Sequence, residues 1–364
     1  MTTATPTRMR TEIGQQPEAL RRTLDALLPR TSEIAELGRR TRQVLFIARG
    51  SSDNAAVYGR YLVESHGGRL ATLAAPSVAT AYRRALDLDG VLAVAISQSG
   101  KTEEIVETLD WAARCGARTV AVTNGADSPL AEAAEVALVT DAGEERAVPA
   151  TKTYTTQLAA LAVLGLGLGL DAGGGAGGGA GVDAGDLRRV PDEVERLIAR
   201  TEESEELPAI VAELARVQGA VVSGRGIAFG TALELALKIK EACYLHAMGL
   251  SYADLLHGPI AVVDDRTPAL LVAADSGPTL AGTIALAHRV RGAGARAYGV
   301  GGGAGLAEAC SRALPGPSLP EWVAPLGLIV PGQILVERLA RELGVDPDVP
   351  RGLNKVTQTD RPER

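Results

Sequence analysis

Three hydroxyls, an amide and a glycine crowd into Ser97-Gln98-Ser99-Gly100-Lys101-Thr102. Hydroxyls and backbone N–H groups are short, neutral donors, a set suited to a compact phosphate monoester on a small molecule. A nucleotide polyphosphate calls instead for the longer G-x-x-x-x-G-K-[ST] loop, and that pattern is absent. Two elements must position these residues. Upstream, Val91–Ile96 is an unbroken apolar run, which reads as a strand buried on both faces of a parallel sheet. Downstream, Glu103, Glu104, Ile105, Val106 and Leu109 repeat with helical periodicity. Strand, polar loop and helix N-terminus together favour an anion, because loop N–H groups point outward and the helix dipole attracts negative charge. The competing reading is an ordinary N-capped helix, with Ser99 or Thr102 as its cap.

The bulk composition narrows the field. A chain of 364 residues is long enough for two domains with proper cores. Hydrophobic content of 46% and charge of 22% describe a globular protein. The net charge of -7, with no Lys/Arg run, argues against a nucleic-acid partner. No apolar stretch is long enough to span a bilayer, and the polar N-terminus lacks a signal-peptide core. Cys115, Cys243 and Cys310 are far apart and odd in number, so neither a disulfide framework nor a CxxC metal site is expected. The four histidines show no metal-ligand spacing. These features fit a reducing cytoplasm, with no metal, no membrane and no nucleic acid. With only 3% aromatic residues, the core must rest on Ala, Val, Leu and Ile.

Around Gly165–Gly185 the sequence becomes glycine-dense and reads as a flexible connector between two similar halves. In the first half Val44–Ala48 leads to Gly50-Ser51-Ser52 and a helix; in the second, Ala220–Val222 leads to Ser223-Gly224-Arg225-Gly226 and a helix. Further along each half a second strand meets a polar loop, Ser97–Gly100 or Asp275-Ser276-Gly277-Pro278. Strands alternating with helices predict α/β domains, with ligands beyond the strands' carboxyl ends. Only the first half is expected to hold phosphate, since the Asp275 carboxylate would repel it. The expected domains are an N-terminal helical segment at 1–40, a phosphate-binding domain at 41–165, a glycine-rich linker at 166–186, a second domain at 187–312, and a C-terminal segment and lid at 313–364.

Several ordered motifs then carry a resemblance. They are Met9-Arg10-Thr11-Glu12-Ile13-Gly14-Gln15-Gln16-Pro17, Gly50-Ser51-Ser52, Ser97–Thr102, Thr151-Lys152-Thr153, the run from Glu234 through Lys238 to Glu241, Asp254–Pro259, and Pro350–Lys355. Together they resemble the SIS (sugar isomerase) family, duplicated as in the isomerase part of glucosamine-6-phosphate synthase. The resemblance covers nearly the whole chain and implies two tandem three-layer αβα domains with flavodoxin-like parallel sheets and a C-terminal tail. The departures point away from synthesis. The chain opens Met1-Thr2-Thr3 where the synthase has a cysteine after its Met, so no glutaminase domain is expected. Lys101 stands where the family usually has Glu, and Ala150 where the synthase has a serine. The reading that remains resembles SIS-type glucosamine-6-phosphate deaminases.

The resemblance also distributes roles. Ser51, Ser52, Ser97, Gln98, Ser99 and Thr102 anchor the phosphate, and Val148 and Glu234 contact the sugar. Glu241 moves the proton between C1 and C2. It shares a helix face with Glu234 and Lys238 at i, i+4 and i+7, and an apolar pocket would suit a carboxylate that both takes and returns a proton. The alternative is a solvated charged face. His257 is implied to open the sugar ring and to serve a neighbouring subunit, which requires a homodimer, whereas His246 reads as a packed histidine on the helix. Lys355 is implied to close over the open-chain sugar by Schiff base or oxygen contact; its alternative is a surface lysine. Glu145 and Lys152 are second-tier candidates. No cofactor is needed, since the substrate's own carbonyl or imine is the electron sink. Expected chemistry is glucosamine 6-phosphate going to fructose 6-phosphate and ammonia. The alternatives are elimination from an N-acetylamino sugar phosphate, deglycation of a fructosamine phosphate, and a sensor without turnover.

Overall fold

A computed structural model of the chain describes residues 6–169 and 182–357. Among the described residues, ten strands build two sheets. The first contains β1 (Gln43–Ile47), β2 (Leu70–Leu73), β3 (Val91–Ile96), β4 (Arg118–Thr123) and β5 (Val136–Val139), in the order β2-β1-β3-β4-β5. The second contains β6 (Gly219–Gly224), β7 (His246–Ser251), β8 (Ala269–Ala273), β9 (Ala297–Gly301) and β10 (Arg312–Leu314), in the order β10-β9-β8-β6-β7. All pairings between these strands are parallel, so the protein is α/β. Counted from its own first strand, each sheet has the order 2-1-3-4-5. The duplication read from the loops is thus a duplication of topology.

Parallel sheets need cover on both faces, which explains the continuous apolar strands. In β3, Leu92 through Ile96 are all fully buried. Ala93 and Ala95 face Ile105, Leu109 and Ala112 of the Glu103–Arg114 helix. In the second sheet, Val221, Leu271 and Ala273 cluster with Leu286, Ala287 and Val290 of the Leu280–Gly292 helix. Strand order reverses between β1 and β3, and again between β6 and β8. Connections leave in opposite directions at such a point and open a crevice beyond the strand ends.

The chain divides into two compact units. One holds Met1–Pro17, Glu145–Lys152 and Arg189–Leu353, and so the second sheet; the other holds Glu18–Glu144, Thr153–Arg188 and Asn354–Arg364, and so the first. In the unit of the second sheet, the Pro325–Glu342 helix is buried on every side from Pro325 to Glu337. It lies against the Phe229–Cys243 helix, and a Cβ on Gly332 would come within 2.9 Å of Leu235.

Two sequence expectations need correction. The glycine-dense stretch begins as helix, because Lys152–Gly167 is helical throughout. Gly167 is there for space: a Cβ would fall 2.5 Å from Ile34, so glycine lets two helices touch. Residues 170–181 of the expected 166–186 linker lie outside the described residues. His246 is exposed and opens β7; it is no packed helical histidine. The helix stops at Cys243 because Tyr244 takes the left-handed conformation (φ 57°, ψ 23°) and turns the chain away. Among the described residues, no helix is long and apolar enough to cross a membrane.

Candidate active site

In the unit of the first sheet, the β1/β3 reversal brings the hydroxyl loops to adjacent strand ends, with Ile47 in register with Ala95. Ser51 and Ser52 open the Ser51–Gly67 helix behind Gly50, whose φ of 59° turns the chain out of β1. Ser97 is buried, and its Oγ accepts from the Gly100 N–H at 3.2 Å. The Ser99 Oγ accepts from the Lys101 N–H at 3.2 Å. Gly100 has φ 62°, and a Cβ there would sit 2.3 Å from the Ser128 Oγ, so the tight loop requires glycine. Gln98 is half-buried and fixes the loop through its carbonyl, which accepts from the Asn124 N–H at 3.1 Å. Lys101 is exposed. Thr102 occupies the N-cap of the Glu103–Arg114 helix, yet its side chain makes no capping hydrogen bond. The loop's hydroxyls thus hold its shape, and the cap hydroxyl is not spent on the helix.

A pair that sequence reasoning missed braces the same crevice. Arg49, after β1, donates through Nε (3.0 Å) and Nη2 (2.8 Å) to both carboxylate oxygens of Glu104. Glu104 is buried in the first turn of the helix whose N-terminus faces the crevice. Its negative charge is answered by the guanidinium in a bidentate bond. Asp53, half-buried nearby, has its pKa raised by burial, against the pull of Arg49.

In the unit of the second sheet, the Phe229–Cys243 helix carries Glu234, Lys238 and Glu241, the residues expected to handle the proton. The Lys238 ammonium lies 3.5 Å from Glu234 and in close contact with Glu241. Side-chain exposure is 0% for Glu234, 1% for Lys238 and 22% for Glu241. Glu241 is therefore the carboxylate of the three that is open to an incoming molecule. Burial opposes the charge on Lys238, but Glu234, Glu241 and Glu145 outweigh it and raise its pKa. A buried ion cluster of this kind is held by mutual charge, and loss of one member leaves another stranded.

The segment bearing Val148 is gripped from several sides within that unit. Buried Glu12, on the first helix, accepts from the Arg146 N–H at 2.5 Å and the Ala147 N–H at 3.3 Å. The Val148 N–H donates to the Asp348 carbonyl at 3.0 Å. Asp348 in turn takes the Arg8 and Met9 N–H groups at 2.8 Å each, answering two free donors of the Arg8–Gly14 helix. Buried Glu145 accepts from the Thr151 N–H (2.9 Å) and Oγ1 (3.2 Å). The Lys152 Nζ donates to the Gln15 side chain at 2.7 Å. Glu12 sits with Met9, Ile13 and Gln16 at helical spacing; a lone carboxylate on that apolar face was the signal for its role.

His257 is exposed, ends the Tyr252–Leu256 helix and precedes Gly258, whose φ is 133°. Lys355 is half-buried beyond the last strand and helix. At the carboxyl ends of β8 and β9, Asp275 accepts from the Gly303 N–H at 2.9 Å.

Two parallel sheets of order 2-1-3-4-5, with hydroxyl loops at one reversal point, define a doubly wound α/β protein, and the SIS domain model matches residues 39–166. A Silicibacter pomeroyi protein, described as a candidate phosphosugar isomerase, superposes with TM-score 0.82 at 34% identity, covering 94% of this chain and all of that one. The glutamine–fructose-6-phosphate aminotransferase of Methanothermobacter thermautotrophicus is 35% identical over 350 residues, which are 94% of this chain and 56% of that protein. The chain thus spans about half the length of the curated relatives it matches. A Thermotoga maritima glucosamine-6-phosphate deaminase aligns with TM-score 0.76 over 97% of this chain and all of that one; at 24% identity, this likeness bears on fold alone. The chain belongs to the SIS family of phosphosugar isomerases.

Proposed function

We propose that this protein converts glucosamine 6-phosphate and water to fructose 6-phosphate and ammonia. The observation that carries the reading is Glu241: a partly open carboxylate held against the buried Lys238 ammonium on a rigid helix. Ser51, Ser52, Ser97, Gln98, Ser99 and Thr102 anchor the phosphate, with Val148 and Glu234 on the sugar. His257 moves a proton between the ring oxygen and O1 to open the sugar, acting in the site of a second subunit of a homodimer. Glu241 takes the proton from C2 and returns it to C1, so the aldose becomes a C2 imine. Water adds to that imine, and ammonia leaves with the proton it needs. Lys355 places its ammonium on the open-chain oxygen where negative charge develops. The buried Lys238 ammonium, in contact with Glu241, holds that carboxylate in place.

The curated relatives are named for an amino transfer to fructose 6-phosphate. A chain that shares their isomerising part is suited to the same aldose–ketose step. The test is a panel of 6-phosphorylated amino sugars, free and N-acetylated, scored for ammonia, product mass and deuterium uptake at C1 in D2O. Ammonia with a deuterated ketose supports the reading. A dehydrated product from the N-acetylated sugar, or silence across the panel, overturns it.

A further inference from the structure

Tyr244 holds a conformation that suits glycine or asparagine. At φ 57° and ψ 23° its Cβ crowds the following carbonyl, a strain that L residues with large side chains seldom accept. A residue kept there against its preference has a use for its ring. The ring is engaged: the Arg351 guanidinium stacks over it at 4.6 Å, and the Arg351 N–H donates to its hydroxyl at 2.8 Å. Both residues belong to one unit. Arg351 is exposed and Tyr244 only half-buried, so the contact adds little to any core.

Its place in the chain gives it meaning. Tyr244 follows Glu241 by three residues and terminates the same helix. Arg351 precedes Lys355 by four residues, so Lys355 lies within about 14 Å of chain from that anchor. Asp348, three residues earlier, is already fixed by Arg8, Met9 and Val148. Gly352 follows at once with φ 71°, a left-handed joint immediately past the second anchor. The C-terminal segment is thus pinned at Asp348, pinned again at Tyr244, and jointed before Lys355.

We propose that the Tyr244–Arg351 clasp sets the reach of Lys355, and that Tyr244 is a positioning residue joining the helix of Glu241 to the tail of Lys355. This rests on the role given to Lys355 above. Tyr244→Leu removes stacking and hydroxyl, Tyr244→Phe removes the hydroxyl alone, and Arg351→Ala removes the stacking alone, because the bond to the hydroxyl comes from the Arg351 backbone N–H. In each full-length variant, hydrogen exchange of residues 352–357 and steady-state kinetics on glucosamine 6-phosphate are measured together. Tyr244→Leu should speed that exchange at least tenfold and lower kcat at least tenfold, with KM within threefold of wild type. Tyr244→Phe and Arg351→Ala, each losing one of the two contacts, should fall between Tyr244→Leu and wild type on both measures. Unchanged exchange in Tyr244→Leu, or a loosened segment with unchanged kcat, overturns the proposal. A wild-type protein silent on the sugar counts against the deaminase reading, and the exchange comparison still decides the clasp.

Discussion

Lys238 and Glu234 face one another at 3.5 Å with both side chains closed off from water, at 1% and 0% exposure. Two charges are taken into the interior only where each answers the other. Glu241 completes the group from the open side. The helix thus holds a fixed charge pattern that presents one carboxylate outward.

Glu241→Gln should keep the fold and the shape of the site while removing the proton acceptor. Turnover of glucosamine 6-phosphate is expected to fall by about 10²–10⁴-fold, the usual share of a general acid–base group. Deuterium uptake at C1 should vanish with it. Retention of that uptake would assign the proton to another residue.

Lys238→Met strands Glu234 inside the protein. A loss of about 3–5 kcal/mol is expected in urea unfolding, and Glu234→Gln in the same chain should restore most of it. The effect has a pH signature. Lys238 titrates above its ordinary 10.5 in the folded protein. A base raised by folding contributes stability in full below its unfolded pKa and loses it as pH climbs through the folded one. The gap between wild type and Lys238→Met should therefore persist through neutrality and close only in strong alkali. A gap already closing near pH 7 would contradict the burial of this pair.

Arg49→Ala takes the guanidinium away from the buried Glu104 carboxylate near the Ser97–Thr102 loop. KM for a 6-phosphosugar should rise about tenfold, equal to about 1.4 kcal/mol, with kcat little changed. Glu104→Gln added to it should recover affinity, because the repelling charge is gone. Equal KM in all three proteins would remove Arg49 from the binding account.

The cysteines offer a check that needs no substrate. Cys243 and Cys310 are buried, and burial pushes both thiols up to about 12. The half-exposed Cys115 should alone react with a thiol reagent at pH 8, and all three after denaturation. Rapid labelling of Cys243 in the native protein would contradict its place against the Val336 carbonyl.

Local signals carried much of the reading, and the misses share a cause. Val91–Thr102 announces strand, loop and helix because burial on both faces leaves an unbroken apolar run. Glu234, Lys238 and Glu241 announce one helix face because 3.6-residue periodicity aligns them. Arg49 and Glu104 stand 55 positions apart, and nothing at either position names the other. Tyr244 carries no mark of its left-handed turn, since side-chain type predicts that turn only for glycine or asparagine. His246 was misplaced for this reason, because the helix was carried past a residue that ends it. Gly167 misled in the opposite sense. Glycine density suggested a connector, whereas helix contact with Ile34 demanded a missing side chain.

The hydrogen bonds of Asp348 to residues 8 and 9 span 340 and 339 positions. A ribosome delivering about 5–20 residues per second separates their births by roughly 20–70 s. For that interval the first helix lacks its anion and the Val148 N–H lacks its acceptor. The unit of the second sheet, which draws on both ends of the chain, therefore cannot be completed before synthesis is nearly over.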